Sequence, residues 1–401
     1  MQGMKEMPTA EATPAEPAHG SLQAQRRKVF HLVDSLNVGG TETQAVELAL
    51  RMPTSSYSIT LGCLSARGPL LDRLKGATVR IEEFHPKGGL DSIGGFYEML
   101  RLAAYLRRER FEVVHCHDLW SNLMGVPAAR MARIPAIISS QRDLSHFDWY
   151  RGAKRTILRK IQGMSSVLLA NATPIRDALV RDDGFPASKL RVLHNGVDTS
   201  KFQRGVRDRE RLFPGVGRGQ LVALVGNMHS DVKGHPWLIM AAPAVLKEFP
   251  ETRFVFAGDG EARPSFERQV EALGISDAFR FLGSRNDVPD ILASCDIAAL
   301  PSKAEGLPNA VLEYMAAGLP TIVSRVGGNP ELVEDGVTGL VVPPQDSDAL
   351  RDALLRLLRD EELATRIAAN GRRMATQHFS FERLVREVDE LYSELLAKRP
   401  A

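Results

Sequence analysis

Two glutamates eight positions apart, a lysine followed by glycine after an apolar run, and two histidines flanking a cysteine have the types and spacing to do chemistry. Glu305 and Glu313 lie within LPSKAEGLPNAVLEYMAAGLPTIVSRVGGNPELVEDGVTG, residues 300–339. On one continuous helix that spacing would turn the two carboxyls away from a common face. The better reading places Glu305 in a loop and Glu313 one to two turns into a helix, both leaning toward whatever occupies the helix start. Unpaired amides of a first helical turn and the helix dipole attract an anion there. Carboxylates accept hydrogen bonds from hydroxyls, so a ligand suited to both features carries phosphate and hydroxyls together, as a nucleotide-sugar does. Lys233, with Gly234 beside it, ends the run GNMHSDVKG after an apolar stretch. A cation with close backbone approach suits a diphosphate, although such a lysine read alone is a solvated loop residue.

His115 and His117 sit in EVVHCHD at a strand end. Alternate strand residues point the same way and Cys116 points opposite, and no fourth ligand cluster is near, so metal ligation is the least favoured reading. A plain structural histidine is the better reading of His115. Gly39 and Gly40 follow another apolar run; they make either a phosphate-binding turn or a tight strand-to-helix connection.

The elements that must hold these residues are legible. Residues 296–301 read as a buried parallel strand. Pro308 suits a first helical turn, Ala310, Val311, Leu312, Met315 and Ala316 carry the helix, and Gly318 and Pro320 stop it. From Lys28 the chain runs strand, glycine turn, and helix beginning near Thr41. Strand-like runs recur near residues 58–63, 78–82, 112–117, 136–139, 166–170, 190–193 and 221–225, with helical patterns between them. That alternation predicts an α/β fold with parallel sheets covered on both faces, whose strand carboxyl ends face a ligand crevice. Asp346 and Asp348 precede a helix and read as its cap rather than as a metal motif.

The paired glutamates with EGLPNAVLEYMAAGLPTIVS around them and GGNPELVEDGVTGLVVPP after them closely resemble retaining glycosyltransferases of family 4. Gly318, Pro320, Gly327, Gly328, Glu331, Gly336 and Gly339 fall at the family's spacing, and a looser likeness extends over about residues 28–398. The resemblance implies a GT-B architecture, two doubly wound Rossmann-like domains facing a cleft. The acceptor-side domain would span residues 28–198, the linker 199–219, and the nucleotide-sugar domain 220–376. A terminal helix, 377–401, would cross back to the first domain. It also implies that His117 reaches the donor sugar and that Gly39 and Gly40 lie beside the donor diphosphate. Lys233 and the amides of Gly306 and Leu307 would hold the leaving diphosphate, Glu313 the ribose hydroxyls, and Glu305 the donor-sugar hydroxyls. Many relatives have an arginine six residues before the lysine; here it is Asn227, which can donate hydrogen bonds but brings no charge. No metal and no cofactor are expected.

A chain of 401 residues suggests two domains, and 51 basic against 49 acidic residues leave no net field directed at nucleic acid; no such partner is expected. Cys63, Cys116 and Cys295 lie in or beside apolar runs, which suits reduced thiols in cytoplasm, and no apolar run is long enough to span a bilayer. Residues 1–27, rich in Pro, Ala, Glu and Gln, read as a disordered tail. Residues 149–164, WYRGAKRTILRKIQGM, contain Arg151, Lys154, Arg155, Arg159 and Lys160 and no acid. An ordinary surface helix is the leading reading, and a peripheral contact with anionic lipid at the inner membrane face, or with an anionic acceptor, is the functional one. The expected activity is hexosyl transfer to a glycan, lipid-linked or small-molecule acceptor in cell-surface polysaccharide or glycolipid synthesis. The rivals are a nucleotide-sugar epimerase, which needs its own acid and base, and a non-catalytic binding protein, for which Asn227 is the one hint.

Overall fold

The computed structural model describes residues 26–143 and 151–398. Most of the tail expected over residues 1–27 lies outside them, as do the first two residues of the basic stretch; Arg27 already opens the first strand. Among the described residues the first half supplies β1 (Arg27–Ser35), β2 (Tyr57–Ser65), β3 (Arg80–Glu83), β4 (Val113–Cys116), β5 (Ala136–Gln141), β6 (Val167–Ala170) and β7 (Leu190–Val192). They form one parallel sheet in the order β3-β2-β1-β4-β5-β6-β7. The second half supplies β8 (Leu221–Val225), β9 (Arg253–Ala257), β10 (Phe279–Phe281), β11 (Ile297–Leu300), β12 (Thr321–Ser324) and β13 (Leu340–Val342). These make a second parallel sheet, β10-β9-β8-β11-β12-β13. Helices link successive strands, so central strands such as β4 and β5 are buried along their whole length. This is the expected GT-B architecture.

Each sheet reverses its strand order once, between β1 and β4 and between β8 and β11, and such switch points open a crevice beyond the strand ends. Two-residue periodicity separates the faces of the first sheet. Phe30, Val114 and Cys116 pack under the helices Ile93–Glu109 and Leu119–Met131. Val29, Val113, Ile138 and Leu169 pack against Phe381, Leu384, Val388, Leu391 and Tyr392 of the terminal helix Phe381–Ala397. Those spacings of three and four make one apolar stripe, which the first sheet buries although the helix follows the second in sequence.

The chain therefore passes between the halves twice, and the two crossings touch: the Val197 N–H donates to Phe379 O at 2.8 Å. Residues 199–219 carry two short helices, Thr199–Gln203 and Arg209–Leu212, rather than a loose connection. Arg209 Nη1 donates to Asp296 Oδ2 at 2.6 Å, and the same carboxyl oxygen accepts the Leu221 N–H at 2.8 Å, which ties this segment to the second sheet. No helix among the described residues is long and apolar enough to cross a membrane.

Candidate functional site

Beyond β8 the chain runs through residues 226–230, one 3-10 turn (Asp231–Lys233) and Gly234 into the helix His235–Glu248. Gly234 has φ 86°, and a Cβ there would fall 2.1 Å from Pro301 O, so only glycine permits this approach to the loop after β11. The result is a close ion pair: Lys233 Nζ lies 2.9 Å from both Glu305 carboxyl oxygens, and Ser302 Oγ donates to Oε1 at 2.7 Å. The Glu305 side chain is 6% exposed and that of Lys233 26%. Asn227 stands exposed on the same loop.

The loop carrying Glu305 is gripped from two sides. Gly306 O accepts from the Gly328 N–H at 2.7 Å, and a Cβ on Gly306 would lie 2.0 Å from Arg142 O of the first half. Pro308 falls just outside the helix as its N-cap rather than inside the first turn, and the helix Asn309–Ala317 starts with no side-chain cap, leaving its first amides for a ligand. Leu307 is buried, and its carbonyl accepts from Asn195 Nδ2 at 2.9 Å.

Across the cleft, neither Gly39 nor Gly40 has a positive φ. Gly39 is extended (φ −133°, ψ 165°) and caps the helix Gly40–Arg51, with the Glu42 carboxylate folded over it. Gly40 O accepts from Asn309 Nδ2 at 3.0 Å, so the glycine pair meets the start of the helix Asn309–Ala317. Asn309 Oδ1 also accepts from Asn195 Nδ2 at 2.8 Å and Gln44 Nε2 at 3.3 Å.

Glu313, one turn further on, has different company from Glu305. It lines a cleft of about 50 Å³ with Gln44, Glu47, Asp198, Lys201 and Phe381. Burial pushes its carboxyl up to about 7, with Lys201 opposing. A cavity of about 640 Å³ lies at the opposite ends of β8 and β11 among Gln220, Asp296, Leu319 and Arg372, and includes none of the candidate residues.

His115 and His117 share one side of β4, their rings stacked with centroids 4.0 Å apart, while Cys116 packs into the core on the other side. His31, the register partner of His115 on β1, joins them, with its Nδ1 2.8 Å from His117 Nε2. All three rings are fully buried, which holds His31 down at about 3 and His115 and His117 well below the usual range, so all are neutral. The three nitrogens lie within 4.8 Å of one another, the grouping among the described residues with the donors for a metal. His117 does not stand open in the cleft: its Nδ1 faces Arg142 Nη2 at 3.5 Å. Arg142 also donates to Asn195 Oδ1 at 2.8 Å, and burial lowers it to about 10, opposed by Glu42 and Asp118.

Sequence reasoning missed Arg142, His31, Asn195 and Asn309. Arg142 did leave a signal, an arginine one step past a strand's carboxyl end; His31 left none, because only the strand order places β1 beside β4. Glu331, read only as a motif residue, holds the halves together: it accepts from Thr173 N at 2.7 Å and Thr173 Oγ1 at 3.2 Å, with His194 Nε2 at 2.7 Å.

The family described as Glycosyltransferase Family 4 matches residues 38–201, and that described as Glycosyl transferases group 1 matches residues 219–360. A UDP-Gal:alpha-D-GlcNAc-diphosphoundecaprenol alpha-1,3-galactosyltransferase of Escherichia coli is 25% identical over 388 residues, covering 93% of this chain and 98% of its own length. A D-inositol 3-phosphate glycosyltransferase of Corynebacterium urealyticum is 31% identical over 317 residues, 71% of this chain and 72% of its own. Among solved structures, Anabaena Alr3699/HepE in complex with UDP-glucose superposes with a TM-score of 0.81 at 23% identity, covering 92% of this chain and 99% of that one.

Proposed function

This chain belongs to the group 1 and family 4 glycosyltransferases, and on that premise we propose that it moves a hexose from a nucleotide-diphosphate sugar to a glycan, lipid-linked or small-molecule acceptor with retention at the anomeric carbon. The observation that carries this reading is the Lys233–Glu305 pair at the switch point of the second sheet, beside an uncapped helix start that meets Gly39 and Gly40 of the first half. When the bond from the anomeric carbon to the diphosphate breaks, negative charge grows on the leaving oxygen. Lys233 and the amides at Gly306 and Leu307 are assigned to hold it. Glu305 orients Lys233 and accepts from donor-sugar hydroxyls, and Glu313 accepts from the ribose. His117 acts from behind Arg142, and Asn227 supplies a neutral donor. The acceptor-side domain is assigned to residues 28–198 and the donor domain to 220–376.

Support for a lipid-linked acceptor comes from the name of the Escherichia coli relative and from one face of the first half. The helix Gly152–Gly163 exposes Lys154, Arg159 and Lys160, with Arg151 just before it, and its Arg155 is bound to Asp183 at 2.6 Å. Its apolar side is not wholly packed away, since Ile157 is 48% exposed. The neighbouring helix Ile93–Glu109 exposes Ile93, Phe96 and Tyr97, and an apolar groove lined by Phe96, Met99, Ile157 and Ile161 joins the two. Bases beside exposed apolar side chains suit an anionic bilayer surface. Salt-sensitive binding to vesicles containing phosphatidylglycerol is expected, abolished by reversing Arg151, Lys154, Arg159 and Lys160 to Glu. A wild-type protein that ignores such vesicles returns this helix to a plain surface role.

The test of the function is a panel of nucleotide-sugars with lipid and saccharide acceptors in excess chelator, the product's anomeric configuration being read by NMR. A retained-configuration glycoside formed under chelation is expected. An epimerised donor without acceptor would instead make the chain an epimerase, and activity that disappears with chelator and returns with magnesium would overturn the metal-free mechanism.

A further inference from the structure

The hydrogen bonds around the buried histidines run in a single direction. A guanidinium only donates, so Arg142 Nη2 makes His117 Nδ1 an acceptor at 3.5 Å. The His117 proton then sits on Nε2 and is donated to His31 Nδ1 at 2.8 Å. His31 in turn carries its proton on Nε2, 3.4 Å from the Tyr392 hydroxyl. Tyr392 donates to His115 Nδ1 at 3.0 Å, and His115 Nε2–H donates to Ser140 Oγ at 3.0 Å. The reverse direction would set a His117 N–H against Arg142, so while the Tyr392 oxygen is there to accept from His31 only one direction satisfies every group; without that oxygen, keeping it would leave the His31 Nε2–H buried and unpaired. Every ring is neutral, as burial demands, and each uses both nitrogens.

The same geometry counts against a metal. The one free lone pair on His117 faces a cation, and the stacked rings of His115 and His117 direct their nitrogens side by side rather than onto a common point. Tyr392 is the member of the chain that does not belong to the first sheet or its loops; it sits fully buried on the terminal helix.

We propose that Tyr392 is a positioning residue for the transferase site: through His31 and His117 its hydroxyl fixes the lone pair that orients the Arg142 guanidinium at the cleft wall. Arg142 Nε has no partner among the described residues, so the guanidinium is held by its two terminal nitrogens alone. One is on Asn195, which reaches the Leu307 carbonyl and Asn309, and the other is on His117. A proton moved to His117 Nδ1 would set N–H against N–H and release that second hold. The terminal helix thereby bears on the cation of a residue whose backbone carbonyl abuts Gly306, in a chain whose donor loop carries neutral Asn227. This consequence for turnover rests on the transferase reading; the tautomers do not.

The experiment is side-chain 15N NMR of the histidines in the full chain, with donor kinetics alongside. Wild type should show His31, His115 and His117 each as the single Nε2–H tautomer. Tyr392→Phe keeps the ring and should convert His31 and His117 to tautomer mixtures, lowering kcat about tenfold, the worth of one oriented hydrogen bond, with a smaller change in donor KM. Tyr57→Phe removes a hydroxyl bonded to Asp389 from a ring that packs edge-on against Tyr392, and should change neither tautomer nor kcat. Should Tyr392→Phe fail to fold, Ser140→Ala frees the far end and should give a mixture at His115. Mixed tautomers in wild type, or an unchanged His117 in Tyr392→Phe, overturn the proposal, as does one equivalent of zinc retained on dialysis with all three rings shifted. Mixed tautomers with full turnover remove the positioning role and leave the transferase standing. A wild type inactive with every donor retires the transferase while the spectra still decide the chain of hydrogen bonds.

Discussion

Lys233 and Glu305 serve both folding and chemistry, and substitution separates the two. Lys233→Ala strands a carboxylate that is 6% exposed and keeps, among the described residues, only Ser302 as a side-chain donor. It should cost about 2 kcal/mol of stability, below the full penalty of a broken buried pair because Lys233 is itself 26% exposed. Turnover should fall about a hundredfold or more, the effect of losing one preorganised charge contact. Urea unfolding of Lys233→Ala with Glu305→Ala should recover the stability and not the rate; recovery of both would remove the lysine from the chemistry. Glu313 gives a pH signature. Its folded value of about 7 lies above its ordinary 4.5, so its contribution to stability is fully present below pH 4.5 and is lost as pH rises to about 7. Glu313→Gln escapes that loss. Its stability relative to wild type should rise across this window and level off above it, by up to about 3 kcal/mol, while calorimetry shows weaker binding of nucleoside diphosphates. Asp118, also raised to about 7, is common to both proteins and cancels. A flat difference between pH 5 and 8 would show Glu313 to be solvated.

At the scale of elements, the terminal helix is the least local part of the fold. Leu384 is buried against the first sheet, and Leu384→Ala should cost about 2–4 kcal/mol in lost burial and residual cavity. Hydrogen exchange should then speed up in β4, β5 and β6, while β8 and β9 keep their protection; uniform loss would mean that the two sheets unfold as one unit. Most elements were legible because apolar runs bounded by glycine, proline and polar turns mark strands buried on both faces. Ends shifted by a residue or so, as at Pro308, where a proline's fixed φ suits the N-cap as well as the first turn. Residues 199–219 are basic and rich in turn formers, and nothing local showed that Arg207 and Arg209 would both find Asp296.

Over the whole molecule, the halves meet through backbone as much as through side chains. Gly306 against Arg142 O is an approach that a Cβ would block, and Gly328 lies close enough to Ala172 that a Cβ there would crowd it. Gly306→Ala should hold the cleft open, giving a larger radius of gyration by X-ray scattering and turnover lower by about tenfold or more, with near-normal stability of each half. An unchanged radius with lost activity would place the effect on the donor rather than on closure.

The sequence by itself determined the two-sheet architecture, the helix behind Glu305, and the place of Lys233 at a strand-to-helix turn, because strand carboxyl ends and short motifs carry that information within a few residues. Only the tertiary structure decided that Lys233 would hold Glu305, that Glu313 would face Lys201, and that His117 would stand behind Arg142. It also brought His31 from β1 and Tyr392 from the chain's last helix to one set of hydrogen bonds. Their partners are separated by as many as 361 residues, and their proximity follows from strand order and from burial of one apolar stripe, quantities that no local pattern records.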